Sequence, residues 1–278
     1  MRIGIFDSGF GGLTIFKSIR ARLPGYDYFY LGDNARTPYG NRSFEAIYKF
    51  TKEGLDALFE RDCKLVIIAC NTASATALRT IQQKVMPVER PDRKVLGIIR
   101  PSAEALAAKT RAHNPGAAVA LWATEGTVKS GSFTMELEKL APGLALIQQA
   151  CPLLVPMVEA GEIEGPGIDH YIRKYWQATL AQAGANGLSI DALLLACTHY
   201  PLLYPRIRAL VPPKVEVLVQ GDIVAPSLAD YLTRHPEVEN ALSRGGSQAY
   251  LTTDQTEGFD RLAAVFLGHL VVSEKIEI

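Results

Sequence analysis

Two of the four cysteines in this 278-residue chain stand where a thiol could react. Leu65-Val66-Ile67-Ile68-Ala69-Cys70-Asn71-Thr72 and Leu193-Leu194-Leu195-Ala196-Cys197-Thr198-His199 share one form: an apolar run, then Ala-Cys, then small polar residues opening a turn. A cysteine just past a buried strand and just before a helix meets the free backbone N–H groups of the first helical turn. Those groups favour negative charge and bring the thiolate within reach. A free thiol titrates near ~8.5, and a modest decrease poises it for proton transfer at neutral pH. The competing reading for either cysteine alone is that it packs as a small hydrophobe. The echo between the two segments hints at two related halves.

Other chemistry-bearing residues fall at similar junctions. Asp7-Ser8-Gly9-Phe10-Gly11-Gly12 follows the first apolar run and supplies a carboxylate, a hydroxyl and permissive glycines. Such a loop could also cradle a phosphate at a helix N-terminus, but the Lys-Ser/Thr ending of a Walker loop is missing. His199, two residues after Cys197, could orient or charge-stabilise that thiol. Cys63, between Asp62 and Lys64, reads as a surface or loop residue, and Cys151, before Pro152, as structural. No C-x-x-C pair occurs, which argues against structural zinc. Four thiols in a chain of this length, with no secretory signal, argue against a disulfide framework.

The elements that must position these groups alternate in type. Strands are expected over 2–6, 28–31, 65–69, 95–99, 117–123, 145–148 and 192–196. Helices are expected over about 12–22, from beyond Gly40 to near Arg61, over 74–84 and over 103–110. This alternation predicts an α/β protein with parallel sheets covered by helices on both faces. In such sheets ligands gather at the carboxyl ends of the strands. The length suits two halves. The prolines Pro201, Pro205, Pro212 and Pro213 suggest a discontinuous first domain, 1–98 plus 213–278, carrying Cys70. A second domain, 99–212, carries Cys197.

Lys plus Arg equals Asp plus Glu at 29 each, without the basic excess of a nucleic-acid binder. The apolar runs are strand-sized rather than membrane-spanning. A strand-like segment starts directly after Met1 in place of a signal peptide, so the expected compartment is the cytoplasm.

Five segments together resemble the glutamate racemase branch of the aspartate/glutamate racemase family. They are Phe6–Leu13, Leu31–Gly40 (Leu-Gly-Asp-Asn-Ala-Arg-Thr-Pro-Tyr-Gly), Cys70–Ser74, Ala123–Thr127 and Ala196–Pro201, in family order across most of the chain. Aspartate racemases usually carry Thr-Glu after the second cysteine. Thr198-His199 here points to glutamate.

The resemblance implies two pseudo-symmetric α/β domains with the active site in the cleft between them. It implies conversion of L-glutamate to D-glutamate for peptidoglycan, without pyridoxal phosphate or metal, by a homodimer that binds neither nucleic acid nor membrane. Carried over by motif, Cys70 and Cys197 are the acid/base residues, with Asp7 supporting the former and His199 the latter. Ser8, Tyr39, Gly40, Asn71, Thr72, Thr124, Thr127 and Thr198 would hold the substrate. Glu159, in Val158-Glu159-Ala160-Gly161, matches an auxiliary glutamate near the site.

Three departures stand out. Pro101-Ser102 replaces a common Pro-Gly, and Gln220-Gly221-Asp222 stands where Asp-Ser is common. The chain also shows no counterpart of the N-terminal extension of members activated by a cell-wall precursor, so that regulation is not expected.

Rival readings remain at this stage. A Cys-His-Asp hydrolase would use one cysteine and leave the other idle. A phosphate-handling enzyme built on the Asp7 loop would lack a second carboxylate motif for magnesium. A non-catalytic glutamate-binding module would find both cysteines dispensable.

Overall fold

The computed structural model describes residues 1–110 and 116–278. Its strands, in chain order, are β1 (Arg2–Asp7), β2 (Tyr28–Gly32), β3 (Cys63–Ile68), β4 (Lys94–Gly97), β5 (Ala117–Ala123), β6 (Ala145–Ala150), β7 (Ser189–Ala196), β8 (Glu216–Val219), β9 (Gln248–Thr252) and β10 (Ser273–Lys275). The chain divides into two units: Met1–Ile98 with Gly221–Ile278, and Ile99–Gln220. The second crossing falls after Gln220, later than the prolines suggested, because β8 pairs with β7 and stays with the second sheet.

The first unit holds a six-stranded sheet in the order β10-β9-β2-β1-β3-β4, and the second a four-stranded sheet in the order β6-β5-β7-β8. All strand pairings are parallel. The inner order β2-β1-β3-β4 and the order β6-β5-β7-β8 are the same path drawn twice. In that correspondence β3, which leads to Cys70, matches β7, which leads to Cys197.

Parallel strands covered on both faces must be apolar throughout. Accordingly Leu65–Ile68 and Ala192–Ala196 are buried residue after residue. On one face of the first sheet lies the helix Phe44–Glu60, whose start is capped by Ser43 accepting the Ala46 N–H at 3.3 Å. It buries Ile47, Leu55, Leu58 and Phe59, each contributing about 1.5–3 kcal/mol of transfer free energy. Gly54 lets this helix press on the Phe6 ring, and a Cβ at that position would collide with it. Gly54→Leu would push the helix off β1. The opposite face is aromatic: Phe16 meets Tyr28 edge-on at 5.4 Å, and Phe10 stacks on Phe259 at 5.7 Å. In the second unit the buried Trp122 on β5 donates its indole N–H to Thr179 on the helix Pro166–Ala185, at 2.9 Å.

Several expectations change in detail. Cys63 is not a surface residue; it opens β3, is fully buried, and burial pushes its thiol up to about 12. The helix behind Cys70 begins at Asn71 and runs in pieces to Glu89, with a π turn over Ile81–Val85. β4 stops at Gly97 because Ile99 already opens the next helix. β8, β9 and β10 were not anticipated; they are short, and β10 is a polar Ser-Glu-Lys edge strand without an alternating signature. No described helix is long and apolar enough to cross a membrane.

Candidate active site

In the first unit the neighbouring strands β1 and β3 run in register from Ile3↔Leu65 to Phe6↔Ile68, and the Ala69 N–H donates to the Phe6 carbonyl at 2.8 Å. Continuing that register sets Asp7 and Ser8 beside Ala69 and Cys70. Cys70 keeps extended backbone angles and serves as the N-cap of the helix Asn71–Thr76. Its sulfur accepts the Ala73 N–H at 3.4 Å and the Ser8 hydroxyl at 3.3 Å. The residue is 6% exposed. Both donors favour the thiolate over the thiol.

Asp7 is buried and accepts the Gly9 N–H at 2.9 Å. Gly12 is required here, because a Cβ would stand 2.6 Å from the Asp7 Cβ and force the helix Leu13–Arg22 away from the strand ends. Tyr30 donates to the Gly9 carbonyl at 3.0 Å, behind the same loop. Burial first, then the charges of Asp7 and Cys70, hold its phenol well above its usual range. Asn71 and Thr72, the first two helical residues after Cys70, are buried.

Tyr39 follows the loop after β2 and is clamped by a group that sequence reasoning did not single out. Its hydroxyl donates to the carboxylate of Asp33, which is fully buried. Asp33 also receives Arg36 Nε at 2.7 Å and the Thr253 hydroxyl at 2.9 Å. Arg36 in turn reaches Glu53 at 2.5 Å. Burial and the Asp33 charge raise the Tyr39 phenol far above its usual range, so it remains a proton donor. Gly40 beside it is half-buried. Asp33 and Arg36 sat inside a quoted motif. Thr253, just past the unanticipated β9, carried no signal.

In the second unit β5 lies between β6 and β7, with Ala123 level with both Ala150 and Ala196. The next residues are therefore neighbours: Thr124, Cys151 and Cys197. Thr124 caps the helix Glu125–Lys129, accepting the Thr127 N–H at 3.3 Å, and the two threonine hydroxyls lie 3.1 Å apart. Cys197 and Thr198 are each 5% exposed.

His199 lies with Nδ1 4.0 Å from the Cys197 sulfur and Nε2 2.9 Å from Glu159 Oε1. Burial pulls the imidazole pKa down, but Cys197 and Glu159 outweigh it and push it up to about 10. His199 is therefore a cation at neutral pH, held by Glu159 from behind and presenting positive charge to the sulfur. This gives Glu159 a definite place, at the imidazole nitrogen that faces away from Cys197.

Two further residues, one undistinguished in the sequence and one read as structural, crowd Cys197. Tyr200 is fully buried and donates its hydroxyl to the Cys151 carbonyl at 2.9 Å. Cys151 is itself fully buried, and burial drives its thiol far up. Its side chain is a packing group, as the sequence suggested. Among the described residues no cluster of three or more His, Cys, Asp or Glu side chains could hold a metal ion.

The sequence pattern of the Asp/Glu/hydantoin racemase family matches residues 13–226. A glutamate racemase of Paracoccus denitrificans is 39% identical over 276 residues, covering 97% of each chain. A glutamate racemase of Geobacter metallireducens is 37% identical, covering 96% of this chain and 92% of its own length. Among solved structures, a glutamate racemase isoform of Bacillus anthracis superposes with a TM-score of 0.85 at 28% identity, covering 100% of this chain and 97% of that one. The Francisella tularensis glutamate racemase in complex with D-glutamate superposes with a TM-score of 0.84 at 27% identity, covering 99% and 97%. A match of this extent in both sequence and fold settles kinship: the chain belongs to the Asp/Glu/hydantoin racemase family.

Proposed function

We propose that this protein is a glutamate racemase that interconverts L- and D-glutamate with Cys70 and Cys197 as a two-base pair, using neither pyridoxal phosphate nor metal. The observation that carries the reading is the repeated arrangement at the ends of β3 and β7. Each strand delivers one buried cysteine into a turn, and each sulfur meets its own set of hydrogen-bonding or charged neighbours. A hydrolase would need one such thiol. A racemase needs two, because inversion requires removing the Cα proton from one face and returning a proton to the other. The relatives' names support glutamate as substrate, as does the D-glutamate bound in the Francisella structure.

The Cα–H of an amino acid is a very weak acid, and the adjacent carboxylate makes its removal harder. Without an electron sink, the developing carbanion needs donors set in place beforehand. Ser8, Tyr39, Gly40, Asn71, Thr72, Thr124, Thr127 and Thr198 are the residues assigned to the substrate's carboxylates and ammonium. In one direction Cys70 is the thiolate and Cys197 the thiol; in the other they exchange. Asp7 attends the first cysteine. His199, steadied by Glu159, attends the second. The product would supply peptidoglycan, and family analogy makes the assembly a cytoplasmic homodimer, which sedimentation would check.

The decisive experiment incubates L-glutamate with purified, metal-free protein in deuterium oxide and follows the chirality and label of the earliest product. D-Glutamate should carry deuterium at Cα while recovered L-glutamate stays protiated. Equal labelling of both enantiomers at the limit of zero conversion would remove the two-base scheme. No D-glutamate at all would remove the assignment.

A further inference from the structure

The chain returns to the first sheet long after β2, and the returning strand ends in two adjacent threonines. β9 pairs with β2 so that Thr252 lies level with Gly32, and the Thr253 N–H donates to the Gly32 carbonyl at 3.2 Å. Both threonines therefore stand beside the 3-10 turn Asn34–Arg36 that follows β2. The Thr252 hydroxyl, fully buried, accepts the Asp254 N–H at 3.2 Å and donates to Asn34 Oδ1 at 3.0 Å. The Thr253 hydroxyl accepts the Ala35 N–H at 3.0 Å and donates to Asp33 Oδ1 at 2.9 Å. Each hydroxyl thus commits its one proton and a lone pair to a fixed partner. A β-branched side chain has few rotamers, so the strand backbone sets both directions.

The stapled turn opens the loop that carries Tyr39 and Gly40. The other oxygen of Asp33 receives the Tyr39 hydroxyl and, at 2.7 Å, Arg36 Nε. The loop leans on the segment between β1 and the helix Leu13–Arg22. A Cβ on Gly32 would stand 2.5 Å from both Asn34 Oδ1 and the Gly9 carbonyl, and a Cβ on Gly9 would stand 3.3 Å from Thr37 Oγ1. Ser8, next to Gly9, donates its hydroxyl to the Cys70 sulfur at 3.3 Å, and Tyr39 and Cys70 share one buried cluster.

We infer that Thr252 and Thr253 are positioning residues, which hold the Asp33–Gly40 loop where Tyr39 and Gly40 meet the substrate and where the loop keeps Cys70 covered. Neither threonine takes part in the proton transfer. What they supply is order in advance: a loop fixed before glutamate arrives costs little further ordering when it binds. Removing the Thr253 hydroxyl deprives the buried Asp33 of a donor and Ala35 of an acceptor, and the turn then opens more easily.

The inference rests on the reading of Tyr39 and Gly40 as substrate-holding residues, so one arm of its test needs no substrate. Thr253→Val keeps the shape of the side chain and deletes the hydroxyl; Thr253→Ser keeps the hydroxyl. The full-length wild type and both variants are treated with iodoacetamide at neutral pH, and the Cys63, Cys70 and Cys197 peptides are quantified by mass spectrometry. Cys70 should react about threefold to tenfold faster in Thr253→Val, with Cys63 and Cys197 unmoved, and Thr253→Ser should stay near the wild-type rate. Cys63 is the control for loosening of the whole unit, because it is fully buried in the same sheet.

In the racemisation assay the KM for L-glutamate should rise about tenfold in Thr253→Val while kcat stays within about threefold, and Thr253→Ser should restore most of the difference. A role in stability alone would lower the folded fraction, and so the apparent kcat, without moving KM. Should Thr253→Val fail to fold, Thr252→Val against Thr252→Ser makes the same comparison through Asn34. An unmoved KM in a folded valine variant, or Cys63 accelerating together with Cys70, overturns the inference. A wild type that forms no D-glutamate overturns the functional reading instead, and the alkylation arm still decides whether the threonines hold the loop.

Discussion

The ends of β3 and β7 occupy the same place in two sheets of the same inner strand order, yet the two thiols are stabilised by different physics. Around Cys70 the donors are neutral and short: the Ser8 hydroxyl and the Ala73 N–H reach the sulfur at 3.3 and 3.4 Å. Around Cys197 the dominant neighbour is a cation, His199, farther off at 4.0 Å and fixed by Glu159. Neutral donors act through orientation and hardly change with pH. A cation acts over a longer range and only while it stays protonated. In the proposed two-base scheme each cysteine must serve as thiolate in turn, and the two turns would provide for it by unlike means.

The comparison breaks most completely if either thiol is dispensable. Cys70→Ala and Cys197→Ala should each lower racemisation in both directions by at least about a thousandfold, with the fold intact by circular dichroism. Near-normal turnover in either variant would show that the repeated strand ends are not paired in function.

Next in size are the supporting groups. Asp7→Asn and His199→Asn should each reduce kcat by about tenfold to a hundredfold, more in one direction than the other, and each with a different preferred direction. The equilibrium between enantiomers cannot change, so KM must shift to match. Initial rates from both enantiomers measure this; equal losses in both directions for both variants would mean the two supports are shared rather than separate.

A pH comparison sharpens the contrast between neutral and charged support. The His199 pKa in the folded protein, about 10, lies above its ordinary value of 6.5. Its contribution to stability is therefore fully present below 6.5 and is lost as pH rises through about 10. Urea unfolding of wild type and His199→Asn should show a stability gap that narrows between those limits. A gap that widens with pH would reverse the assigned charge.

The smallest effect belongs to the thiol that the fold removes from the chemistry. Cys63→Ala should leave turnover nearly unchanged while costing about 1 kcal/mol of stability, since its sulfur packs against Gly4 on β1. Thermal unfolding beside a racemisation assay checks both halves of that expectation.

What the sequence determined by itself was the frame. Continuous apolar runs such as Leu65–Ile68 and Leu193–Ala196 have one stable destiny, a strand covered on both faces, and the small polar residues after them can only open a turn. That local logic was enough to reach the parallel α/β class and to single out both cysteines and His199 as candidates. It failed where the signal is short or the partner distant. β8 is only four residues long and β10 is brief and polar, so neither announces itself, and Cys63 looks exposed only because charged residues flank it in the chain.

Tertiary structure alone decided which groups meet. Thr253 reaches Asp33 across 220 positions, Glu159 reaches His199 across 40, and Tyr200 finds the Cys151 carbonyl across 49. No local propensity encodes such contacts. They follow from strand order and register, which bring the ends of β2 and β9 to one level in the first unit and those of β5, β6 and β7 to one level in the second. Burial then makes each polar group there keep the partner that packing supplies.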